Sequence, residues 1–314
     1  MENTDMKPSF GRIWFIAARP WSWPASIIPV LFGTALAVFI GGAEFKPWIF
    51  LAALAGMVIL HSGANMLSDA HDLRNGLDKL GEISPVSGAV ARGWLSPDQA
   101  ERGSYLFFAC GSALGLLVAA KAGLPVLWLG LAGVVVGLIY SFMKYRAFGD
   151  LAVLLEFGFL GTAGAWAAQA GSLSATPFIW SIPPGLIVVA ILHANNWRDM
   201  ASDRAGGIKT VAGLLGDSGS MVYYSCLLCV PFVFVLAGVL LSWSTVAGPK
   251  MPWSLLLVWL AFPMALDRIK KGARRRAPVQ PLDFITLDGG TAQLNLVFGL
   301  LASAGLVLHR FGIG

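Results

Sequence analysis

Charge is what this sequence has least of. Only 12% of its 314 residues are charged, about half of the ~25% usual in soluble domains. Hydrophobic residues make up 56%, and the mean hydropathy is +0.71. The shortage of charge excludes an ordinary soluble globular protein. It also excludes intrinsic disorder, which needs low hydrophobicity and high charge. The net charge of +5 is modest and divided among short loops, so a basic nucleic-acid-binding stripe is excluded. Three cysteines (Cys110, Cys226 and Cys229) are too few for a disulfide framework. Cys226 and Cys229 form a CxxC inside an apolar run with no βαβ pattern around it, which predicts small core packers. The charged leader before the first apolar run carries no small-residue cleavage site, which predicts a retained helix and not a signal peptide.

Long apolar runs take the place of charge. Nine can be marked, at about 13–40, 47–67, 104–121, 123–143, 150–170, 176–196, 219–242, 252–267 and 290–309. Each approaches the ~20 apolar residues of a membrane span. None shows the strict alternation of a barrel strand, so helices are predicted. The expected fold is all-α: a polytopic membrane protein of about nine transmembrane helices around a central cavity, one domain over residues 1–314. Pro24, Pro29, Pro183, Pro184 and Pro231 are expected to kink or break these helices. Lys46, Lys121, Lys250 and Arg310 lie on one side of this topology, and every other Lys and Arg lies on the opposite side. The positive-inside rule then places the N-terminus and the basic loops in the cytoplasm. The basic cluster from Lys270 to Arg276 is read as a topogenic headgroup contact.

Two loops on the basic side stand out, at about 68–103 and 197–218. The helix before the first ends in Asn65, Asp69 and Asp72, with Asp78 following. The helix before the second ends in Asn195, Asn196, Arg198, Asp199 and Asp203, with Lys209 following. Asn65, Asp69 and Asp72 fall at i, i+4 and i+7, and Asn195, Asp199 and Asp203 at i, i+4 and i+8. Each set shares one helix face. Asn195 stands 130 positions after Asn65, which suggests two four-helix pseudo-repeats plus a ninth helix, with the stripes facing each other. A carboxylate near hydrocarbon costs about 2.5–3.5 kcal/mol on insertion scales. Two converging acid pairs therefore call for cations between them, unless the acids are simply solvated beyond the helix ends. Oxygen ligands favour Mg²⁺ or Ca²⁺, and Mg²⁺ is usually shared with substrate phosphates. Arg74, Lys79, Arg198, Arg204 and Lys209 suit a diphosphate. The stripes thus read as a Mg²⁺–diphosphate site opening into an apolar cavity. His71 carries no clear signal.

The pattern N-x-x-x-D-x-x-D at Asn65–Asp72, with N-N-x-R-D-x-x-x-D at Asn195–Asp203 and Lys209-Thr210, resembles the UbiA superfamily of intramembrane aromatic prenyltransferases. Ala18-Arg19-Pro20, the segment Tyr145–Asp150 and the closing segment from Thr291 are similar to its 1,4-dihydroxy-2-naphthoate polyprenyltransferase branch, although Asp150 stands where that branch often carries Glu. The resemblance implies Mg²⁺-dependent transfer of a polyprenyl group from an allylic diphosphate to an aromatic acceptor at the cytoplasmic face of a bacterial inner membrane. The expected acceptor is 1,4-dihydroxy-2-naphthoate, in menaquinone biosynthesis. Asn65, Asp69 and Asp72 would hold one Mg²⁺, and Asp199 and Asp203 a second, with Asn195 orienting them. Arg198, Lys209 and Arg146 would clamp the diphosphate, with Asp78, Lys79 and Asn196 also lining it. Asp150 would either orient or deprotonate the acceptor hydroxyl, or cap a helix. Glu156, inside the fifth run, would be either an intramembrane functional group or the partner of a nearby cation. Another phenol such as 4-hydroxybenzoate stays open as acceptor, and a secondary transporter stays open as a different class of function.

Overall fold

The computed structural model describes residues 8–76, 88–244, 250–275 and 282–312 of the chain, with the backbone alone at 242–244. Asp78, Lys79 and Arg276 lie outside these residues. Among the described residues the protein is helical throughout, with a single isolated bridge between Arg146 and Lys209 in place of any strand. The helices are α1 (Phe10–Ala17), α2 (Pro24–Ala35), α3 (Pro47–Arg74), α4 (Pro97–Ala122), α5 (Leu124–Lys144), α6 (Gly149–Val153) and α7 (Gly161–Ala170). They continue as α8 (Ala175–Trp180), α9 (Ile182–Arg198), α10 (Met200–Ala205), α11 (Val211–Ser244), α12 (Phe262–Gly272), α13 (Leu282–Ile285) and α14 (Leu287–Arg310).

Six of the described helical stretches are long and apolar enough to cross a membrane: α3, α4, α5, Gly149–Ala170, Val211–Leu241 and α14. A seventh is reached if Phe10–Ser22 and Pro24–Ile40, bent by 56°, count as one span. The expected nine are not reached, for a local reason. The run at 176–196 is divided at Ser181 into α8 and α9, and α9 is only 17 residues long with Pro183 and Pro184 in its first turn. Proline starts a helix readily but cannot continue one across the break. The run at 252–267 begins as a 3₁₀ helix, Trp253–Ala261, before α12 takes over at Phe262 and Pro263. Gly149–Ala170 is continuous but passes through a π-helical segment, Leu154–Leu160.

The apolar interior falls into two main parts. The larger joins α2, α9, α11, α13 and α14 through Phe32, Ile187, Tyr224, Phe232, Phe284 and Phe298. The smaller packs α1 and α3 against residues 89–95 through Ile13, Met66, Ala89 and Val90. Cys226 is exposed on α11 and is no core packer, although a small thiol suits a lipid-facing surface equally well. The basic cluster is also more than a headgroup contact. Arg274 pairs with Asp283 at 2.7 Å, Lys271 with Asp267 at 2.9 Å, and Arg275 donates to the Trp197 carbonyl at 2.7 Å.

Helices approach closely where side chains are absent. At Gly33 on α2 an added Cβ would fall 2.3 Å from the Thr162 carbonyl oxygen of α7. Small residues at such crossings supply van der Waals packing in lipid, where apolar burial offers little. Gly33→Val should therefore lower stability by about 1–3 kcal/mol through overpacking. Gly164→Ala, which meets nothing within 4 Å, should leave it unchanged. Thermal unfolding of the detergent-solubilised protein checks both.

Candidate active site at the acid end of the bundle

The first stripe lies within helix and not in the loop that follows it. α3 runs on to Arg74, so Asp69 and Asp72 are held on a rigid element and both are buried. Each has a cation beside it. Arg19 pairs with Asp69, and Lys144 Nζ lies 2.8 Å from Asp72 Oδ2. Tyr145 donates its hydroxyl to Asp72 Oδ1 at 2.8 Å. Asn65 donates its amide to Ser22 Oγ at 3.0 Å, and that hydroxyl donates to the Arg19 carbonyl at 2.8 Å. Arg19 itself has φ 51° and ψ 61°, a left-handed conformation that costs a non-glycine residue about 1–2 kcal/mol. The break that bends the first span thus also delivers the guanidinium to Asp69. At Gly88 an added Cβ would fall 2.4 Å from Asp69 Oδ2, so the returning loop closes over this carboxylate.

The second stripe does not lie on one uninterrupted helix. α9 ends at Arg198, Asp199 occupies the joint at φ −94° and ψ 9°, and α10 carries Asp203. The Asp203 amide still donates to the Asp199 carbonyl at 2.9 Å, so the i, i+4 relation survives the bend. Arg198 organises this end. Its guanidinium takes Asp199 with two bonds of 2.9 Å, Asp288 of α14 at 2.7 Å, and the side-chain oxygen of Asn195. It is more an anchor between α9 and α14 than an open clamp. Asn196 is buried in α9.

The two stripes come within electrostatic range of each other. Burial pushes the Asp203 carboxyl up to about 7, against the pull of Lys144 and Arg198 and with the added push of Asp199 and Asp72. Asp203 thus has acids of both stripes in its electrostatic surroundings. Its Oδ2 is enclosed without a hydrogen-bond partner. The loop carrying Arg146 joins the second stripe directly, because the Lys209 amide donates to the Tyr145 carbonyl at 3.3 Å. Arg146 and Lys209 are both exposed, and Arg146 lies over the Phe142 ring at 3.7 Å. Arg74, by contrast, is engaged with Glu101 at 2.6 Å and with Asp98 on α4.

Among the described residues, no three of His, Cys, Asp and Glu converge to hold a metal alone. The donor set still fits Mg²⁺, which takes one or two carboxylates and completes its shell with phosphate oxygens and water. The enclosed, unpartnered Asp203 oxygen is where such a cation would be most favourable.

Beneath the acids lies a cavity of about 140 Å³, lined entirely by residues between 30 and 168 and almost entirely apolar. Its lining comes from the N-terminal half of the chain. Glu156 lines it and pairs with no Arg or Lys among the described residues, so the expected ion pair is not found there. Asp150 is buried beside His193, 3.8 Å from Nδ1, and makes no capping bond to α6. The helix-cap alternative for Asp150 is therefore wrong.

The UbiA prenyltransferase family profile matches residues 26–285. This chain belongs to the UbiA prenyltransferase family. As a prenyltransferase it is an enzyme of the membrane, and the transporter reading falls. UbiA prenyltransferase domain-containing protein 1 of Mus musculus is 34% identical over 308 residues, covering 95% of this chain and 84% of the mouse protein. The 1,4-dihydroxy-2-naphthoate octaprenyltransferase of Bacillus subtilis is 27% identical over 314 residues, covering 99% and 97%. A UbiA homologue from Archaeoglobus fulgidus, solved with GPP and Mg²⁺, shares the fold with a TM-score of 0.63 at 14% identity, covering 93% of this chain and 99% of that one.

Three residues paired with the acids or their anchor were given no site role from sequence: Arg19, Lys144 and Asp288. Lys144 was counted only as a topogenic charge, yet its place at the last turn of an apolar helix, four residues after Tyr140, was a usable signal. Asp288 had none, since only the tertiary fold brings α14 to Arg198. The pair Lys144–Asp72 is nearly enclosed, with side-chain exposures of 15% and 11%. Lys144→Met or Asp72→Asn alone should cost about 3 kcal/mol by stranding the other charge. The double variant should recover about 1–3 kcal/mol of the summed loss. Unfolding in detergent without Mg²⁺ measures this cycle, and strictly additive losses would show that the pair is not coupled.

Proposed function

We propose that this UbiA-family prenyltransferase moves a polyprenyl group from an allylic diphosphate to an aromatic acceptor, 1,4-dihydroxy-2-naphthoate, in the manner of a menaquinone-pathway enzyme. The observation that carries the reading is the buried, cation-paired first acid stripe at the end of α3, the helix whose His61 and Ala64 line the apolar cavity. The name of the Bacillus relative supports the acceptor, and the GPP and Mg²⁺ of the Archaeoglobus structure support the donor class and the metal. A different phenol, such as 4-hydroxybenzoate, is the second reading for the acceptor.

Asn65, Asp69 and Asp72 would hold one Mg²⁺, and Asp199 and Asp203 a second, with Asn195 set through Arg198. When bound, the metal neutralises the negative charge that grows on the departing diphosphate. The protein's own residues do the rest. Arg19 and Lys144 pair with the acids of the first stripe and fix their positions, which is electrostatic preorganisation. Arg146 and Lys209, exposed at the joined loops, meet the outer phosphate oxygens. The cavity wall excludes water from the allylic carbon, so the chain is passed to the ring and not lost to hydrolysis. The acid end carries the basic loops, and by the positive-inside rule it faces the cytoplasm.

The assay follows directly. Membranes containing the protein, given Mg²⁺, geranyl diphosphate and each candidate phenol in turn, should form a prenylated product that EDTA abolishes. Asp69→Ala and Asp199→Ala should each lower kcat by roughly 10²–10³-fold, as expected for loss of charge stabilisation in the transition state. Full transfer by either variant would eliminate the two-metal assignment.

A further inference from the structure

The apolar cavity contains two side chains that a hydrocarbon tail cannot use. Glu156 reaches it from the π-helical segment Leu154–Leu160, and His61 reaches it from α3. His61 is fixed in place, with Ser26 Oγ 2.7 Å from Nδ1 and the Phe157 ring packed edge-on at 4.7 Å. Glu156 forms no hydrogen bond or ion pair with a described residue, and it is half-buried in the cavity wall. Its Oε1 lies 3.2 Å from where a Cβ on Gly137 would stand, so the bare backbone of α5 makes room for it. π turns are rare and concentrate at functional sites. An ionisable group inside a membrane bundle is costly unless function or a partner retains it.

The depth of the pair is also informative. His61 precedes Asp69 by eight residues on α3, and Gly137 precedes Lys144 by seven on α5. At ~1.5 Å per residue both lie about 10–12 Å below the acids. Tyr140 lies between Gly137 and Lys144 on the same helix. The donor offers this depth nothing polar, because its diphosphate is held above and its tail has no hydrogen-bonding atom. The acceptor is the one remaining reactant with polar atoms. We propose that Glu156 and His61 recognise the acceptor, hydrogen-bonding a phenolic hydroxyl while the ring's reacting carbon faces the allylic carbon beneath the acids. This assignment rests on the aromatic-acceptor reading above. It makes Glu156 a specificity-determining residue, since a site built around a substrate hydroxyl strongly rejects analogues that lack it.

The test separates the two substrates. The full-length protein in detergent, with Mg²⁺, geranyl diphosphate and 1,4-dihydroxy-2-naphthoate, gives a KM for each reactant in the wild-type, Glu156→Gln, Glu156→Leu and His61→Phe proteins. Glu156→Leu should raise the acceptor KM about tenfold or more, and Glu156→Gln, which still hydrogen-bonds, about two- to threefold. The donor KM should stay unchanged in all three variants. A rise in unfolding temperature on adding geranyl diphosphate and Mg²⁺ reports that each variant is folded. If Glu156→Leu fails that control, the KM split in Glu156→Gln and His61→Phe decides. An unchanged acceptor KM, or a donor KM that rises in parallel, overturns the assignment while leaving the prenyl-transfer reading intact. A wild-type protein that prenylates no phenol at all overturns the aromatic-acceptor reading, and this assignment with it.

Discussion

A carboxylate placed at the rim of a hydrocarbon layer must have positive charge beside it, and this constraint organises the molecule. Asp69 has Arg19, Asp72 has Lys144, and Asp199 has Arg198. None of these cations is a sequence neighbour of its acid except Arg198. They come from the broken first span, from the last turn of α5 and from the end of α9, so several helices must end at one level for the acids to be tolerated. Asp203 is the exception that gives the arrangement its purpose. It lies among acids of both stripes, with one oxygen enclosed and unpartnered. The protein's own cations thus answer most of the acids but leave this oxygen without one.

Below that level the logic reverses. Glycine, alanine, valine and leucine line most of the cavity, and a long apolar tail can lie there at no cost in hydrogen bonds. The two polar intrusions, Glu156 and His61, stand out because everything around them is built to avoid polarity. The division of labour follows the physical nature of the substrates. Charge is handled at the rim by helix ends and the loops joined at Tyr145 and Lys209, while hydrocarbon is handled by the helical walls of the N-terminal half. The C-terminal half supplies the second stripe and buttresses it, with Asp288 of α14 fixing Arg198.

The family relationship fits this picture across nearly the whole chain. Relatives at about a third identity come from vertebrates, and one at 27% comes from a bacterium. The fold they share therefore assigns a chemistry without assigning a cell type. Differences in acceptor among such proteins are expected at positions such as Glu156, inside the cavity. On the function proposed above, the acids at the rim answer to the diphosphate, which all members of the reaction class must bind.

Much was legible before folding. Local chemistry wrote the apolar runs, the all-helical architecture and both acid stripes into the sequence, because helical periodicity and the exclusion of charge from lipid act on each segment by itself. The breaks were less legible. The split of 176–196 at Ser181, the 3₁₀ start at Trp253 and the bend at Asp199 depend on packing, so the expected nine spans were not met. Tertiary structure alone decided which cation answers which acid, that the cavity belongs to one half of the bundle, and that Glu156 opens into it unpaired. Those facts depend on distances between residues far apart in the chain. No periodicity can encode such distances, because they exist only once the helices have packed.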